Sequence, residues 1–173
     1  MRPVEARTVI SAPREAVFDF VCDYALRLAW NDHYLDDFRL TRVNTVGVGA
    51  GAAFLIDAPL FPQRAEFQVT AVERPRRIVE RGRIGRLGRT TGWAEWEFTE
   101  GRHSTEVLLT VWTEPGIRWD GVKESLGARG WMKRQARGSL QRLRMVFENP
   151  SDRPLERATI AGYEPLKAAR FGA

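Results

Sequence analysis

The sequence predicts an α+β fold in which a curved antiparallel sheet of about seven strands packs against two short helices and one long C-terminal helix. Three observations support this prediction. Most of the chain before residue 115 consists of short segments that alternate apolar and polar residues between turn signals, as antiparallel strands do. Two short helical patterns follow the first of these segments. One long amphipathic pattern follows the last of them.

The long amphipathic pattern spans residues 120–148 and predicts the helix around which the sheet is organised. Its apolar positions recur every three or four residues and are Met132, Ala136, Leu140, Leu143 and Phe147. Basic residues occupy the opposite face. A continuous helix of this length would measure about 43 Å. Gly127, Gly130 and Gly138 each disfavour a helix by roughly 1 kcal/mol, so we expect a broken front half that acts as a lid, with a gate at residues 127–130.

The preceding segments justify the sheet and the short helices. Ser11, Pro13 and Glu15 form a helix-start signal, and a second short helix is predicted at residues 25–30. The glycines of residues 47–51 mark a turn and lack the residues of a phosphate-binding loop. Strands are predicted at residues 4–10, 38–43, 52–58, 64–73, 78–84, 93–99 and 105–113.

Length and composition indicate one globular domain, predicted at residues 1–148, followed by a tail at residues 149–173. The chain has 173 residues, of which 43% are hydrophobic and 28% are charged. Its single cysteine, Cys22, excludes an internal disulfide and a cysteine-based zinc site, and an apolar segment around it favours a buried, inert thiol. The sequence has no apolar leader and no run long enough to cross a membrane, so we expect a cytoplasmic protein.

The number and distribution of charged residues limit which classes of partner we expect. The chain carries 27 basic and 22 acidic residues, a formal net charge of +5, and the two signs are interspersed. This favours a mixed, solvated surface and no specific nucleic-acid partner. Peripheral contact with an anionic membrane through the basic helix face stays open. A monomer or a homodimer fits equally well.

Several short segments, in their order along the chain, resemble the START / Bet v 1-like (SRPBCC) superfamily. They are VISAPREAVFDFVCDY at 9–24, WN at 30–31, VGAG at 48–51, VERPRRI at 72–78 and the helix end at 140–148. The resemblance covers residues 4–148 and is strongest to the polyketide cyclase/dehydrase and lipid-transport branch. It implies a helix-grip fold with a cavity between sheet and helix. Because functions in this superfamily range from lipid carriage to polyketide cyclisation and quinone binding, it implies an apolar ligand and leaves the chemistry open.

The alternation of the strands predicts which side chains line that cavity. We expect the apolar faces of the strands, one tryptophan of the second short helix and the apolar stripe of the long helix to contribute. Plain core packing is the competing interpretation for each. The predicted wall residues are Trp30, Phe54, Ile56, Phe67, Val69, Trp96, Phe98, Leu108, Trp112, Met132 and Ala136.

Three residues are candidate acids or bases. His33 follows the second short helix near the predicted cavity mouth, where a loop histidine without a catalytic role is the competing interpretation. Asp57 lies in an otherwise apolar strand, and Glu80 lies between Ile78 and Ile84 on one face of its strand. Either would have a raised pKa if it pointed inward. The alternative is that both face solvent or pair with Arg81 or Arg83. His103 lies in a predicted surface turn.

These patterns favour the binding or carriage of an apolar small molecule such as a lipid, polyketide or quinone, with no cofactor and no metal site. A cyclase- or dehydratase-type enzyme that uses a cavity acid or histidine is the alternative. No acid–base pair with recognisable spacing supports it, so an enzymatic role is the less favoured hypothesis.

Overall fold

The computed structural model describes residues 1–58, 62–114, 116, 127–149, 155 and 157–160. Its strands are β1 (Val4–Ile10), β2 (Leu35–Leu40), β3 (Gly51–Ile56), β4 (Gln63–Glu73), β5 (Arg77–Ile84), β6 (Thr90–Glu100) and β7 (Thr105–Glu114). Its helices are α1 (Arg14–Cys22), α2 (Leu28–Asn31) and α3 (Ala128–Glu148), with one turn of 3-10 helix at Tyr24–Leu26.

The strands form one antiparallel sheet in the order β1-β7-β6-β5-β4-β3-β2. Every neighbouring pair from β2 to β7 is also consecutive in the chain. The first strand, β1, lies at the edge of the sheet and pairs with β7. Short connections favour this antiparallel order. The predicted α+β fold, with a seven-stranded sheet and a long C-terminal helix, is confirmed.

Side-chain alternation sets which face of the sheet is covered. In β5, Ile78, Glu80, Gly82 and Ile84 are buried, whereas the intervening arginines Arg81 and Arg83 are exposed. The helices cover the face on which the first four lie. This face therefore forms one wall of the space between sheet and helices.

The predicted position of β2 is wrong by three residues. We expected a strand at 38–43, but β2 is Leu35–Leu40, and its pairing with β3 shifts between Asp36 and Arg39. Asp37 adopts φ 47 at this irregularity. The bulge realigns the strand so that Leu35, like Phe38 and Leu40, is buried, and alternation in the sequence does not reveal such an inserted residue.

The described part of the long helix begins at Ala128, directly after Gly127, whose φ of 89 is a conformation that favours glycine. Its 21 residues span about 32 Å. Ala136, Leu140 and Leu143 are buried against β1 and α2, as the predicted stripe requires. Residues 117–126, and with them most of the predicted lid, lie outside the described residues. None of the helices in the described part is long and apolar enough to cross a membrane.

A short C-terminal segment, residues 157–160, lies against the domain, and we call it the C-terminal strap. The Ala158 amide donates to the Ala25 carbonyl at 2.8 Å, and the Leu40 amide donates to the Thr159 carbonyl at 3.0 Å. Arg157 pairs with Asp23 at 2.7 Å. The strap thus joins the 3-10 turn to the end of β2.

Candidate functional site

A pocket of about 80 Å³ lies between the covered face of the sheet and helices α2 and α3. Apolar and aromatic side chains from β2 to β7 form most of its lining, and Met132 of α3 closes one side. Two groups of residues at the pocket differ in chemistry. We call Tyr24, Arg27, Asn31 and Glu80 the polar end, and Phe38, Phe54 and Phe67 the aromatic end.

The polar end is organised by an ion pair between Arg27 and Glu80. Arg27 directly follows the 3-10 turn, and Glu80 lies 53 positions later on the covered face of β5. Arg27 is 5% exposed and Glu80 4%. The Nη2 of Arg27 donates to Oε1 of Glu80. Burial removes most of the water that would otherwise hydrate these two charges. Each charge is therefore stabilised chiefly by its attraction to the other.

Three aromatic rings surround the Arg27 guanidinium. Its central carbon lies 4.5 Å from the ring centre of Tyr24, 4.9 Å from that of Trp30 and 5.5 Å from that of Trp96. The two indoles meet edge to face at 5.3 Å. Cation–π attraction at these distances compensates part of the lost hydration of the cation.

Burial and the ion pair shift two pKa values at the polar end. Burial, with the neighbouring Glu80 charge, raises the pKa of Tyr24 well above its usual range, so its hydroxyl stays protonated. Burial works against the charge of Arg27, but Glu80 outweighs it, and the pKa of Arg27 is raised. The polar end therefore holds one fixed cation and one phenolic proton.

Five buried polar atoms at the pocket lack a hydrogen-bond partner of standard geometry among the described residues. They are the Tyr24 hydroxyl, Arg27 Nε, Asn31 Oδ1, Trp96 Nε1 and Ser139 Oγ. The Tyr24 hydroxyl lies near the Glu80 carboxylate. Native structures leave few buried polar atoms unpaired, and here several belong to side chains that line one pocket.

The aromatic end consists of parallel rings on three neighbouring strands. Phe38 stacks on Phe54 at 5.7 Å with 9° between the ring planes, and Phe54 stacks on Phe67 at 5.9 Å with 22°. The Phe67 ring lies over Gly82 and Gly92. A Cβ at Gly82 would come within 2.3 Å of this ring, and one at Gly92 within 2.5 Å. Glycine at both positions is what lets the ring lie flat on the sheet.

The structure brings six of the predicted wall residues to the pocket. Four of the others, Trp30, Val69, Phe98 and Ala136, are buried in the core without lining the pocket. On β7, Leu108 does not line the pocket, whereas Leu109, Val111 and Trp112 do. The six at the pocket are Phe54, Ile56, Phe67, Trp96, Trp112 and Met132.

The three acid–base candidates are not together. Asp57 is exposed. Glu80 is buried and pairs with Arg27, so the alternative that it faces solvent or pairs with Arg81 or Arg83 is wrong. His33 is half-buried outside the pocket lining, and its Nε2 lies 3.4 Å from the Gln135 carbonyl oxygen. Burial and nearby Arg142 lower the pKa of His33.

Sequence reasoning missed Arg27, Tyr24 and Asn31. Arg27 could have been recognised as the single charged residue in the otherwise apolar segment at 25–30. The described residues contain no group of His, Cys, Asp and Glu side chains that could hold a metal ion. Cys22 is buried, and burial raises the pKa of its thiol.

Solved structures with a similar fold share little sequence with this chain. The protein TTHA0849 from Thermus thermophilus is 19% identical, with a TM-score of 0.66 over 86% of this chain and 99% of that chain. KanY (ms6282) is 17% identical, with a TM-score of 0.68 over 85% and 97%. DynU16, a putative protein in the dynemicin biosynthetic locus, is 17% identical, with a TM-score of 0.59 over 92% and 51%. At these identities the likeness concerns the fold alone.

Family membership rests on the sequence. No curated protein matches the chain significantly. The family model described as polyketide cyclase / dehydrase and lipid transport matches residues 1–148, which is most of the chain. The chain therefore belongs to the polyketide cyclase/dehydrase and lipid transport family.

Proposed function

We propose that the pocket binds an apolar, uncharged small molecule and holds one polar oxygen of that molecule at the polar end. The supporting observation is that buried atoms of Arg27 and Asn31 lack a hydrogen-bond partner among the described residues, beside a Tyr24 hydroxyl whose contact with the Glu80 carboxylate lacks standard geometry. Leaving such atoms unpaired costs free energy, roughly 1–3 kcal/mol each, and a bound carbonyl or hydroxyl group would recover it. The aromatic end would contact the apolar body of the ligand.

Charge balance supports an uncharged ligand. Among the described residues that line the pocket, Arg27 and Glu80 are the only charged ones, and they pair with each other. A carboxylate placed beside them would add a buried charge without a counter-ion, which is costly in a protein interior. We therefore expect a ketone, ester or quinone to bind the polar end more tightly than the corresponding acid.

Pocket size supports a ligand that reshapes its site. A volume of about 80 Å³ holds a few water-sized groups, whereas pockets for drug-sized ligands measure about 300–1,000 Å³. Binding must therefore displace side chains. Met132 is the lining residue best suited to this, because an unbranched thioether repacks at low cost.

The test compares ligands that share a chain length and differ in one end group. Long-chain methyl ketone, fatty acid and alkane would be titrated against the protein at neutral pH, with tryptophan fluorescence as the readout because Trp96 lines the pocket. Native mass spectrometry of protein purified from cells would identify any retained ligand. We expect the ketone to bind most tightly. Failure of all three ligands to bind, together with an empty purified protein, would reject the proposal.

A matched pair of variants locates the binding. Tyr24→Phe removes one hydroxyl from the polar end, whereas Asp57→Asn changes an exposed residue outside the lining. Tyr24→Phe should weaken ketone binding roughly fivefold, the equivalent of one hydrogen bond of about 1 kcal/mol. Asp57→Asn should leave it unchanged. Equal effects would place the ligand elsewhere.

An enzyme that cyclises or dehydrates a polyketone is a second candidate, favoured by the side chains beside Glu80. In that reaction the Glu80 carboxylate would take a proton from the carbon next to a ketone, and the enolate oxygen formed would accept a hydrogen bond from the protonated Tyr24 hydroxyl beside the Arg27 cation. Product formation from a model polyketone would be followed by mass spectrometry for wild type and for Tyr24→Phe, Glu80→Gln, Asp57→Asn and His33→Ala. Enzymatic function predicts a large loss for Tyr24→Phe and Glu80→Gln. Unchanged turnover in all four variants would eliminate it.

A further inference from the structure

The net charge of the chain is concentrated in α3. The helix contains six basic residues and one acidic residue, which gives it a net charge of +5. The whole chain also has a formal net charge of +5. The rest of the sequence therefore carries equal numbers of the two signs. A strong one-sign field around the molecule arises from this helix.

Four of these cations are exposed and have no acidic partner among the described residues, and one of them, Arg129, donates to the Pro3 carbonyl oxygen. The other three are Lys133, Arg134 and Arg137, and we call them the cationic face. By contrast, Arg142 pairs with Asp32 and Arg144 with Glu148. The charge of the cationic face is thus available to an external anion.

The other side of the same helix contributes to the pocket. Met132 and Ser139 line it, so one helix separates the pocket from the cationic face. Met145 lies 11 residues after Arg134, about three helical turns, and therefore on the same side as the cations. Its side chain is 49% exposed. Met145 lies about 16 Å further along the helix than Arg134, so a membrane that contacts this side of the helix would meet both the cations and an exposed apolar side chain.

We propose that the cationic face docks the protein on an anionic lipid surface, with α3 lying against the bilayer. Each Lys or Arg near such a surface contributes roughly a fivefold gain in affinity, so three contribute roughly a hundredfold. Single-stranded nucleic acid fits less well, because its binding sites combine cations with exposed aromatic rings for stacking, and the exposed apolar side chain here is a methionine. Docking would place the wall of the pocket next to the source of an apolar ligand.

The experiment measures binding of the full chain to two kinds of vesicle, one of phosphatidylcholine alone and one that also contains phosphatidylserine. We expect binding to the second kind and little to the first, with affinity falling as salt is raised. The variant Lys133→Gln/Arg134→Gln/Arg137→Gln should lose roughly a hundredfold in affinity for the anionic vesicles. It should bind the methyl ketone like wild type, so this result is independent of ligand binding.

A control variant removes the same charge elsewhere. Arg64→Gln/Arg83→Gln/Arg102→Gln changes three exposed arginines of the sheet and its turns, none of which has an acidic partner among the described residues. The proposal requires that it lose less than about threefold, since its residues lie away from α3. An equal loss in both variants, or no preference of wild type for anionic vesicles, overturns the proposal. Tighter binding of an oligonucleotide than of vesicles at equal salt also overturns it. If the helix variant does not fold, the salt series on wild type still tests the proposal. Affinity for the anionic vesicles that does not fall as salt is raised overturns it.

Discussion

The two ends of the pocket differ in how much their side chains add to folding stability. The aromatic end has three stacked rings, and each stacking contact adds to the burial of apolar surface. At the polar end, by contrast, an ion pair and several polar atoms are withdrawn from water. A pair of hydrophobic residues would often be as stable as such a buried ion pair, or more so.

The two ends therefore call for different explanations. Folding alone accounts for the aromatic end, including the glycines beneath Phe67. It does not account for the unpartnered buried atoms on Arg27 and Asn31, so a bound ligand is the more direct reason for them. Three predictions test this division and a fourth concerns a residue outside both ends; they are given in order of decreasing expected effect.

Glu80→Ala should be the most destabilising of these changes. It leaves the Arg27 cation buried without its counter-ion, which costs roughly 3–5 kcal/mol. Urea unfolding followed by circular dichroism measures the change. The double variant Arg27→Met/Glu80→Leu removes both charges and should recover most of the lost stability, but it should bind the ketone poorly. A loss below about 1 kcal/mol in the single variant would contradict the ion pair described here.

Gly82→Ala should disturb the aromatic end. The new methyl group would lie 2.3 Å from the Phe67 ring and 2.4 Å from the Glu66 carbonyl oxygen, an overpacking that costs roughly 1–3 kcal/mol. The displaced ring should also weaken ligand binding. Gly130→Ala is the control, since nothing lies within 4 Å of its added Cβ, and it should stabilise the exposed helix by about 1 kcal/mol. If Gly82→Ala and Gly130→Ala shifted the free energy of unfolding in the same direction, the close packing of Phe67 on Gly82 would be contradicted.

Tyr24→Phe separates stability from binding most directly. It removes a buried hydroxyl that lacks a partner of standard geometry, so the free energy of unfolding should stay constant or rise by about 1 kcal/mol. Ketone affinity should fall at the same time. A decrease in both quantities would mean that the hydroxyl serves the fold, and the distinction between the two ends would then fail.

His33 should give the smallest effect, and it lies outside both ends. Burial lowers its pKa in the folded chain below the unfolded value of about 6.5. As pH falls below about 6.5, the unfolded chain binds a proton that the folded chain does not, so stability decreases. It is unaffected by this group at higher pH. In the variant His33→Gln, the urea midpoint should vary less with pH between neutral pH and the pKa of His33 in the folded chain. An unchanged pH profile would show that another group controls acid sensitivity.

The sequence was sufficient for the fold because alternation and amphipathicity are local. Residues such as Ile78 and Ile84 predicted the covered face of β5, and six of the predicted wall residues lie at the pocket. The bulge at Asp37 was not visible, since one inserted residue changes alternation without changing composition. The Arg27–Glu80 pair was missed for a different reason. Its members are 53 positions apart, and nothing in the sequence near one indicates the other.

Two further residues could have been recognised. Gly82 and Gly92 each interrupt a strand pattern, and interior glycines commonly mark a close approach of another group. Because they are directly opposite each other in β5 and β6, together they indicate a ring lying across two strands. The identity of that ring as Phe67 required the register of the sheet.

The C-terminal strap has a consequence for where the domain physically ends. The family match stops at residue 148, but Arg157 and Ala158 contact the turn that carries Tyr24 and immediately precedes Arg27. A chain shortened at the family boundary would leave the Leu40 amide without its acceptor, Thr159. Deuterium exchange at Leu40 should then be faster than in the full chain. Homology and hydrogen bonding thus define different limits for the same domain.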